Sequence, residues 1–206
     1  MDWEGMWSRN GGLKPGQAFD ASQPLPFLDK LFEKNIIPKG LGFIPGCGRG
    51  YEVGSFASQG YQIVGLEISK TAADAARSYL DDKFSNKKDF WKIEEGSFFE
   101  YNGTQQFDFA YDYTFLCALN PNQRDLWAKK YSEVLKPNGR LVTVVFPIGS
   151  HEFIKDDGGP PYPMSVGLVE NLLSPHGFKK IFEQELGQGE AHPGREGKTT
   201  FCIWSR

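Results

Sequence analysis

The length, composition and charge of the chain limit what it can be. Its 206 residues, 39% hydrophobic and 24% charged, are typical of a folded domain with a substantial core. The formal net charge of −3 leaves no excess of Lys and Arg to neutralise phosphates, which argues against a nucleic-acid partner and favours a small molecule or ion. The three cysteines lie far apart without His at zinc spacing, so we expect reduced thiols and no metal site.

The organisation of the chain predicts a single domain over residues 1–206, since no repeat or linker divides it. Residues 1–24 are rich in Gly, Pro and Trp and predict an irregular arm with one short helical turn around Trp3 to Trp7. No apolar run approaches the length of a membrane span, and the first residues lack the pattern of a secretory leader. We therefore expect a cytoplasmic monomer with no membrane partner.

Beyond the arm, predicted strands and helices alternate. The strands are predicted at Gly40–Ile44, Tyr61–Leu66, Trp91–Glu94, Phe107–Tyr111, Gly139–Pro147, Phe178–Leu186 and Thr199–Trp204. The helices are predicted at Pro26–Lys34, Tyr51–Gln59, Thr71–Leu80, Pro121–Leu135 and Val166–Leu173, and a Gly-Pro loop at Gly158–Pro163. This order predicts a Rossmann-like α/β fold: a seven-stranded, mostly parallel sheet with helices on both faces. Ligands of such sheets bind beyond the carboxyl ends of the strands, at the topological switch point.

Two features of the first two strands predict a nucleoside-containing cofactor. Three alternate glycines, Gly46, Gly48 and Gly50, follow the first strand and allow a tight turn that approaches a ligand closely. Glu67 ends the second strand, where a carboxylate can accept hydrogen bonds from both ribose hydroxyls. Taken singly, the glycines also suit a plain turn and Glu67 a solvated strand end. A nicotinamide dinucleotide is an alternative, but Tyr51 follows Gly50 directly without the glycine spacing that a pyrophosphate favours.

Several motifs carry a resemblance to a known family. They are Trp3–Trp7, Phe19–Asp20, Ile44–Gly50, Asp112–Leu119, Gly158–Tyr162 and Gly194–Glu196. Together they resemble the thiopurine S-methyltransferase family, most closely its plant and fungal branch of halide and thiol methyltransferases. The resemblance implies a class I methyltransferase that uses S-adenosyl-L-methionine and releases S-adenosyl-L-homocysteine. The implied acceptor is a halide, thiocyanate, bisulfide or small thiol; a bulkier heteroaromatic thiol is the alternative, and an inactive cofactor-binding regulator a third.

The resemblance also implies which residues contact the cofactor. Gly46, Cys47, Gly48 and Gly50 would line its methionine part, and Glu67 its ribose. Ser97 stands where the family usually has an Asp beside the adenine, and Phe98 would pack on the adenine ring. The Asp112 and Tyr113 pair would lie near the reacting sulfonium, unless they are only a strand-end carboxylate and a core tyrosine. The arm would close over the cofactor with Trp3 and Trp7, whose alternative is packing on the domain surface.

Four residues are implied at the methyl acceptor. Tyr113 and the Tyr162 hydroxyl would contact a small anion or thiol, and Arg195 would supply positive charge. A halide or thiocyanate needs no base, only removal from water into an aromatic site. A thiol needs to lose a proton, and Asp20 is the carboxylate we expect to receive it. The three histidines, His151, His176 and His192, fit no catalytic order and are expected at the surface.

Overall fold

One seven-stranded sheet runs through the part of the chain that the computed structural model describes, residues 1–104, 106–149 and 159–206. Its strands are β1 (Leu41–Pro45), β2 (Gln62–Glu67), β3 (Trp91–Glu95), β4 (Phe107–Tyr113), β5 (Leu135–Val145), β6 (Lys179–Glu185) and β7 (Thr200–Ser205). The helices are α1 (Trp3–Ser8), α2 (Phe27–Lys34), α3 (Tyr51–Ser58), α4 (Lys70–Lys83), α5 (Arg124–Val134) and α6 (Val166–Leu173). None of these helices is long and apolar enough to cross a membrane.

The strand order is β3-β2-β1-β4-β5-β7-β6. All neighbouring strands pair in parallel except at β7, which runs antiparallel to both β5 and β6. The chain moves outward from β1 to β3 and then crosses to the other side of β1 to form β4. The predicted Rossmann-like, mostly parallel sheet is confirmed, and its switch point lies between β1 and β4.

Some element boundaries differ from the sequence prediction. Strand β5 begins at Leu135, four residues before the predicted start, because Leu135 already pairs with Phe107 of β4. Residues Pro121–Gln123 form a separate 3-10 turn, so α5 begins only at Arg124. Strand β4 continues two residues further than predicted, to Tyr113. Gly158, the first residue of the predicted Gly-Pro loop, and His151, which was predicted at the surface, lie outside the described residues.

The aromatic residues that the composition shows in excess mostly fill the core. Two apolar clusters cover the two faces of the sheet, one under α2, α3 and α4 and the other under α5 and α6. Consecutive residues of β4 alternate between them, with Ala110 in the second cluster and Tyr111 in the first. Phe56 and Trp127, one from each cluster, are fully buried. Large rings therefore hold the helices on both faces of the sheet.

The Asp112 carboxylate points into the α5 face, away from the side of the sheet that Tyr111 occupies. Its Oδ2 accepts hydrogen bonds from Trp127 Nε1 at 2.7 Å and from the Tyr131 hydroxyl at 3.0 Å, and Oδ1 accepts from the Leu116 amide at 3.1 Å. Burial raises the pKa of Asp112 to about 6, against the lowering effect of these donors. The expected cofactor contact of the Asp112 side chain is corrected: it fixes the turn after β4 onto α5.

Removing one of these donors should destabilise the fold in a pH-dependent way. Tyr131→Phe deletes a hydrogen bond to a buried carboxylate and should lower the free energy of unfolding by about 1.5 to 3 kcal/mol. The lost hydrogen bond favours the ionised form of Asp112, which is mostly protonated at pH 5. The loss of unfolding free energy should therefore be larger at pH 8 than at pH 5. Urea denaturation at both pH values measures it. Tyr79→Phe is the control, because the half-buried Tyr79 hydroxyl makes no hydrogen bond to a described residue; equal losses in both variants would contradict the prediction.

Candidate active site

A cavity of about 430 Å³ lies beyond the carboxyl ends of β1, β2 and β4, at the switch point. Its walls come from the N-terminal arm, the glycine turn after β1, the end of β2, the turn after β4, Pro160 and Pro161, and the loop before β7. This volume lies in the range of small-molecule sites. Within the described residues, no group of His, Cys, Asp and Glu side chains is arranged to hold a metal ion.

The glycine turn forms one wall of the cavity. Gly46 and Gly48 have φ angles of +60° and +53°, which favour glycine, and both line the cavity together with Cys47. A Cβ on Gly46 would lie 2.5 Å from the Phe115 ring, so a larger residue would displace that ring. Gly50 plays a different part: it precedes α3, packs against α4 and does not line the cavity. The turn thus brings the Gly46–Gly48 backbone to the cavity. Gly50 instead lies where the start of α3 packs against α4.

Glu67 is the last residue of β2 and is only 5% exposed. Its Oε2 accepts a hydrogen bond from the Gly48 amide at 2.9 Å, and its Oε1 from the Ser69 amide at 3.0 Å. Burial raises the pKa of Glu67 despite these donors. Each carboxylate oxygen can accept more than one hydrogen bond, so this geometry fits two further hydroxyl donors from the cavity, as a ribose would supply.

Ser97 and Phe98, the residues expected beside the adenine, do not line the cavity. Phe98 is 5% exposed and packs against Tyr131 and Phe115, so its ring belongs to the core. Ser97 is half-buried and does not line the cavity. Phe115 stands in front of Phe98 at the wall, and Ile68 lies at the rim with 56% of its surface exposed. A large apolar residue placed directly after the strand-end acid is the sequence signal that could have identified Ile68.

The N-terminal arm contributes an aromatic wall. Trp3 and Trp7 each make an edge contact with Phe19, with ring centroids 5.6 Å apart in both pairs, and all three rings line the cavity. Trp7 is 5% exposed, and the Arg49 guanidinium lies 5.5 Å from its ring. The indole pair is therefore packed over the cavity, as the resemblance implied for a covering arm.

A hydrogen-bonded acid holds the arm against α4. The Glu4 carboxylate accepts from Ser69 Oγ at 2.6 Å, from the Thr71 amide at 3.1 Å and from the Thr71 hydroxyl. These donors lower the pKa of Glu4. Since the Ser69 amide donates to Glu67, the arm is joined to the carboxylate at the end of β2 through one residue.

Asp20 is not a free base. Its side chain is 1% exposed and forms an ion pair with Arg49 Nε at 2.8 Å. The other oxygen accepts from the Tyr51 hydroxyl and the Ser22 amide, both at 2.9 Å. The sequence-based expectation of proton transfer to Asp20 is therefore corrected: this carboxylate ties the arm to the glycine turn.

Tyr113, Arg195 and His192 form one polar group at the cavity. Arg195 Nη1 donates to the Tyr113 hydroxyl at 2.8 Å, and its guanidinium lies 4.6 Å from the Phe146 ring. Tyr113 stacks on His192 with ring centroids 5.7 Å apart and planes 6° apart. Burial raises the pKa of Tyr113 to about 12, whereas Arg195 acts in the opposite direction. The structure thus brings strand-end Tyr113 and loop residue Arg195 together at the cavity.

His192 is placed differently from the prediction. It is 4% exposed and lines the cavity, and neither ring nitrogen has a partner in the described part of the chain. Burial, followed by the Arg195 charge, lowers the pKa of His192 to about 4, so the ring is neutral at physiological pH. Sequence reasoning missed it because nothing in the surrounding loop distinguishes a buried His from an exposed one.

Tyr162 does not line the cavity, although Pro160 and Pro161 do. Its ring packs against Gly159, where a Cβ would lie 2.7 Å away, and its amide donates to the Cys117 carbonyl at 2.7 Å. The expected contact of the Tyr162 hydroxyl with the acceptor is corrected accordingly. The cavity instead contains the hydroxyl-bearing rings of Tyr111 and Tyr113.

Comparison with known proteins agrees with this geometry. A family model described as thiopurine S-methyltransferase matches residues 1–196. "Probable thiol methyltransferase 2" of Arabidopsis thaliana is 40% identical over 99% of this chain and 84% of the relative. "Thiocyanate methyltransferase 1" of Arabidopsis thaliana and of Brassica oleracea are 34% and 35% identical, with the same coverage.

Solved structures agree on the fold. A SAM-dependent methyltransferase of Methanosarcina mazei superposes with a TM-score of 0.73 at 20% identity, over 85% of this chain and 96% of that one. A Burkholderia thailandensis N1-methyltransferase with bound S-adenosylhomocysteine has a TM-score of 0.67 at 17% identity, over 88% and 76%. The cavity, the family match and these relatives together show that the chain belongs to the thiopurine S-methyltransferase family and is an S-adenosylmethionine-dependent methyltransferase.

Proposed function

We propose that this methyltransferase acts on a small thiol or a soft anion such as thiocyanate. The observation that carries the proposal is the polar group of Tyr113, Arg195 and His192 set in an otherwise aromatic wall. A fixed positive charge and neutral polar atoms in a dry site favour a small, polarisable nucleophile. The names of the relatives, thiol and thiocyanate methyltransferases, support the same acceptor class.

We propose that the cofactor occupies the part of the cavity lined by Glu67 and the glycine turn. Glu67 would accept from the ribose hydroxyls, the Gly46–Gly48 backbone would border the methionine part, and Ile68 with Phe115 would enclose the adenine. When bound there, S-adenosylmethionine supplies an electrophilic methyl group. Trp3 and Trp7 would present aromatic faces that stabilise a sulfonium cation.

The protein's contribution to the reaction is positioning. In-line transfer requires the nucleophile to be held against the methyl carbon, which accounts for roughly 7 to 11 kcal/mol in well-oriented reactions. Arg195 would hold the anionic acceptor, and Tyr113 keeps the guanidinium in place through its hydrogen bond. The arm would exclude water, as a closed lid does in other enzymes.

The acceptor should be small. A cavity of about 430 Å³ is near the lower end of the range for small-molecule sites, which favours a small acceptor beside a bound cofactor. This favours thiocyanate, bisulfide, halides and short thiols over a heteroaromatic thiol. We further propose that the enzyme is a cytoplasmic, single-domain monomer that does not bind nucleic acid, in keeping with its net charge of −3.

An acceptor panel tests this proposal. Headspace analysis should detect methylated products from thiocyanate, bisulfide and short thiols, and from halides in the order iodide, bromide, chloride, which follows ease of dehydration. A heteroaromatic thiol should be a poorer substrate by kcat/KM. A much higher kcat/KM for the heteroaromatic thiol would contradict the small-acceptor assignment, and absence of any product would favour a regulator.

The cofactor placement is tested by Glu67→Gln. The amide nitrogen of Gln would face the Gly48 or the Ser69 amide, donor against donor, and the ribose would lose an ionised acceptor. We expect S-adenosylhomocysteine binding to weaken by about 1.5 to 3 kcal/mol in calorimetry. Glu95→Gln is the control, because Glu95 of β3 lies in register with Glu67 of β2 but does not line the cavity. Unchanged affinity in Glu67→Gln would refute the assignment.

Arm closure is tested by trypsin cleavage after the exposed Arg9. S-adenosylhomocysteine should slow this cleavage in the natural sequence, because the ligand would complete the wall on which the arm packs. Glu4→Ala removes the contacts to Ser69 and Thr71 and should reduce the protection. Glu33→Ala, at an exposed position of α2, serves as the control. If the ligand protects Glu4→Ala as well as it protects the control, the arm is not held by this acid.

A further inference from the structure

Glu52 presents a carboxyl oxygen to the cavity. It is the second residue of α3, and its side chain lines the cavity wall. Oε1 accepts a hydrogen bond from the Leu25 amide at 3.2 Å, which fixes the orientation of the carboxyl group. The backbone amide of Glu52 itself is a second donor to this carboxyl group. Within the described ranges, no side chain donates to it, so the carboxyl group keeps acceptor capacity for a molecule in the cavity.

Two polar groups near this carboxyl group also lack partners. The buried Tyr111 hydroxyl makes no hydrogen bond to any described residue, and the same holds for both ring nitrogens of His192. Both side chains line the cavity that Glu52 lines. Buried polar atoms are nearly always hydrogen-bonded in folded proteins. Two unpartnered buried groups in the cavity that Glu52 also lines indicate that a ligand with a polar hydrogen or lone pairs binds there.

Charged groups near Glu52 affect its pKa in addition to burial. Arg195 favours the ionised form, whereas Asp20 disfavours it. The Glu52 charge in turn acts on three tyrosines and one thiol, contributed by α4, β4 and the glycine turn: Tyr79, Tyr111, Tyr113 and Cys47. Burial is the largest effect and raises the pKa of Glu52 from 4.5 to about 7. Such a carboxyl group can both take and release a proton at neutral pH.

The other ionisable groups of the cavity are less suited to accept a proton. Asp20 is paired with Arg49, and each oxygen of Glu67 accepts a backbone amide. His192, with a pKa of about 4, is a weak base, and Tyr113, with a pKa of about 12, stays protonated. Glu52 has no charged or side-chain hydrogen-bond partner in the described residues, and its pKa of about 7 suits proton exchange at neutral pH.

We propose that Glu52 is the general base for thiol acceptors, a step that rests on the proposed function. As the thiol sulfur forms its bond to the methyl carbon with a lone pair, the sulfonium carbon–sulfur bond breaks and its electron pair stays on the leaving sulfur. The S–H proton moves to Glu52 Oε2. The products are a methyl thioether, S-adenosylhomocysteine and protonated Glu52, which then loses its proton to water. Thiocyanate and halides carry no proton and bypass Glu52.

The experiment compares two acceptor classes in Glu52→Gln. The substituted amide keeps an oxygen for the Leu25 amide but cannot take a proton. We expect kcat/KM for a short alkyl thiol to fall roughly 10²- to 10⁴-fold, the range for general-base catalysis, and kcat/KM for thiocyanate to stay unchanged. The matched control, Glu33→Gln on the exposed side of α2, should alter neither.

The pH profile separates a base from a structural residue. In the natural sequence, the thiol reaction should rise with deprotonation of a group near pH 7, whichever thiol is used. In Glu52→Gln it should rise only with ionisation of the thiol itself, and the deficit should shrink for an aryl thiol of low pKa. The thiocyanate reaction should show neither effect.

Stability supplies a readout without turnover. Between pH 4.5 and about 7 the folded chain holds a proton on Glu52 that the unfolded chain has released, so this group lowers stability as pH rises through that window. Glu52→Gln removes the effect. The difference in melting temperature between Glu52→Gln and the natural sequence should therefore favour the variant more at pH 8 than at pH 4.5.

Four outcomes would overturn the proposal. Equal losses with thiol and thiocyanate, accompanied by weaker S-adenosylhomocysteine binding, would assign Glu52 to the cofactor or the fold. An unchanged thiol reaction in Glu52→Gln would exclude a base at this position. If the natural sequence methylates thiocyanate but no thiol, the base is refuted while the proposed function stands. If it methylates neither, the proposed function itself fails.

Discussion

The site depends on one carboxylate, that of Glu67, which draws three separate segments together. It accepts the Gly48 amide from the turn after β1 and the Ser69 amide from the start of α4. Ser69 in turn donates to Glu4 in the arm. A buried carboxylate is costly unless it is hydrogen-bonded, so these contacts are mutually required. Through this chain of bonds, the cofactor contact proposed at the end of β2 would be coupled to the position of the N-terminal segment.

Four acids near the switch point, three of them buried and Glu52 half-buried, have different environments. Asp112 is fully occupied by α5 and the turn after β4, and Asp20 by Arg49 and Tyr51. Glu67 and Glu52 both line the cavity, and burial is the largest influence on the pKa of each, opposed by backbone amide donors. The environment of each acid, more than its residue type, determines how it ionises.

The aromatic residues divide between two tasks. Most are in the core, where their size holds helices on both faces of the sheet. A smaller set lines the cavity, and Tyr111 belongs to both sets: Trp3, Trp7, Phe19, Tyr51, Tyr111, Tyr113, Phe115 and Phe146. Phe98 shows how the two sets are connected, because it lies in the core yet supports Phe115 at the wall. An aromatic wall of this kind removes an anion from water without offering strong competing hydrogen bonds.

The order of elements, the glycine turn and the acid at the end of β2 could be predicted from the sequence, because periodicity, turn chemistry and strand ends are properties of consecutive residues. Which side of β4 faces the cavity depends on tertiary packing. Alternation along that strand puts Asp112 opposite to Tyr111 and Tyr113, but the packing of α5 on one face determines which set is buried in the core. The same holds for Ser97, Phe98, Tyr162, His192 and Glu52, whose positions depend on contacts between distant segments. No local pattern encodes the desolvation that raises the pKa of Glu52, since it arises only when the arm, the glycine turn and β4 enclose one cavity.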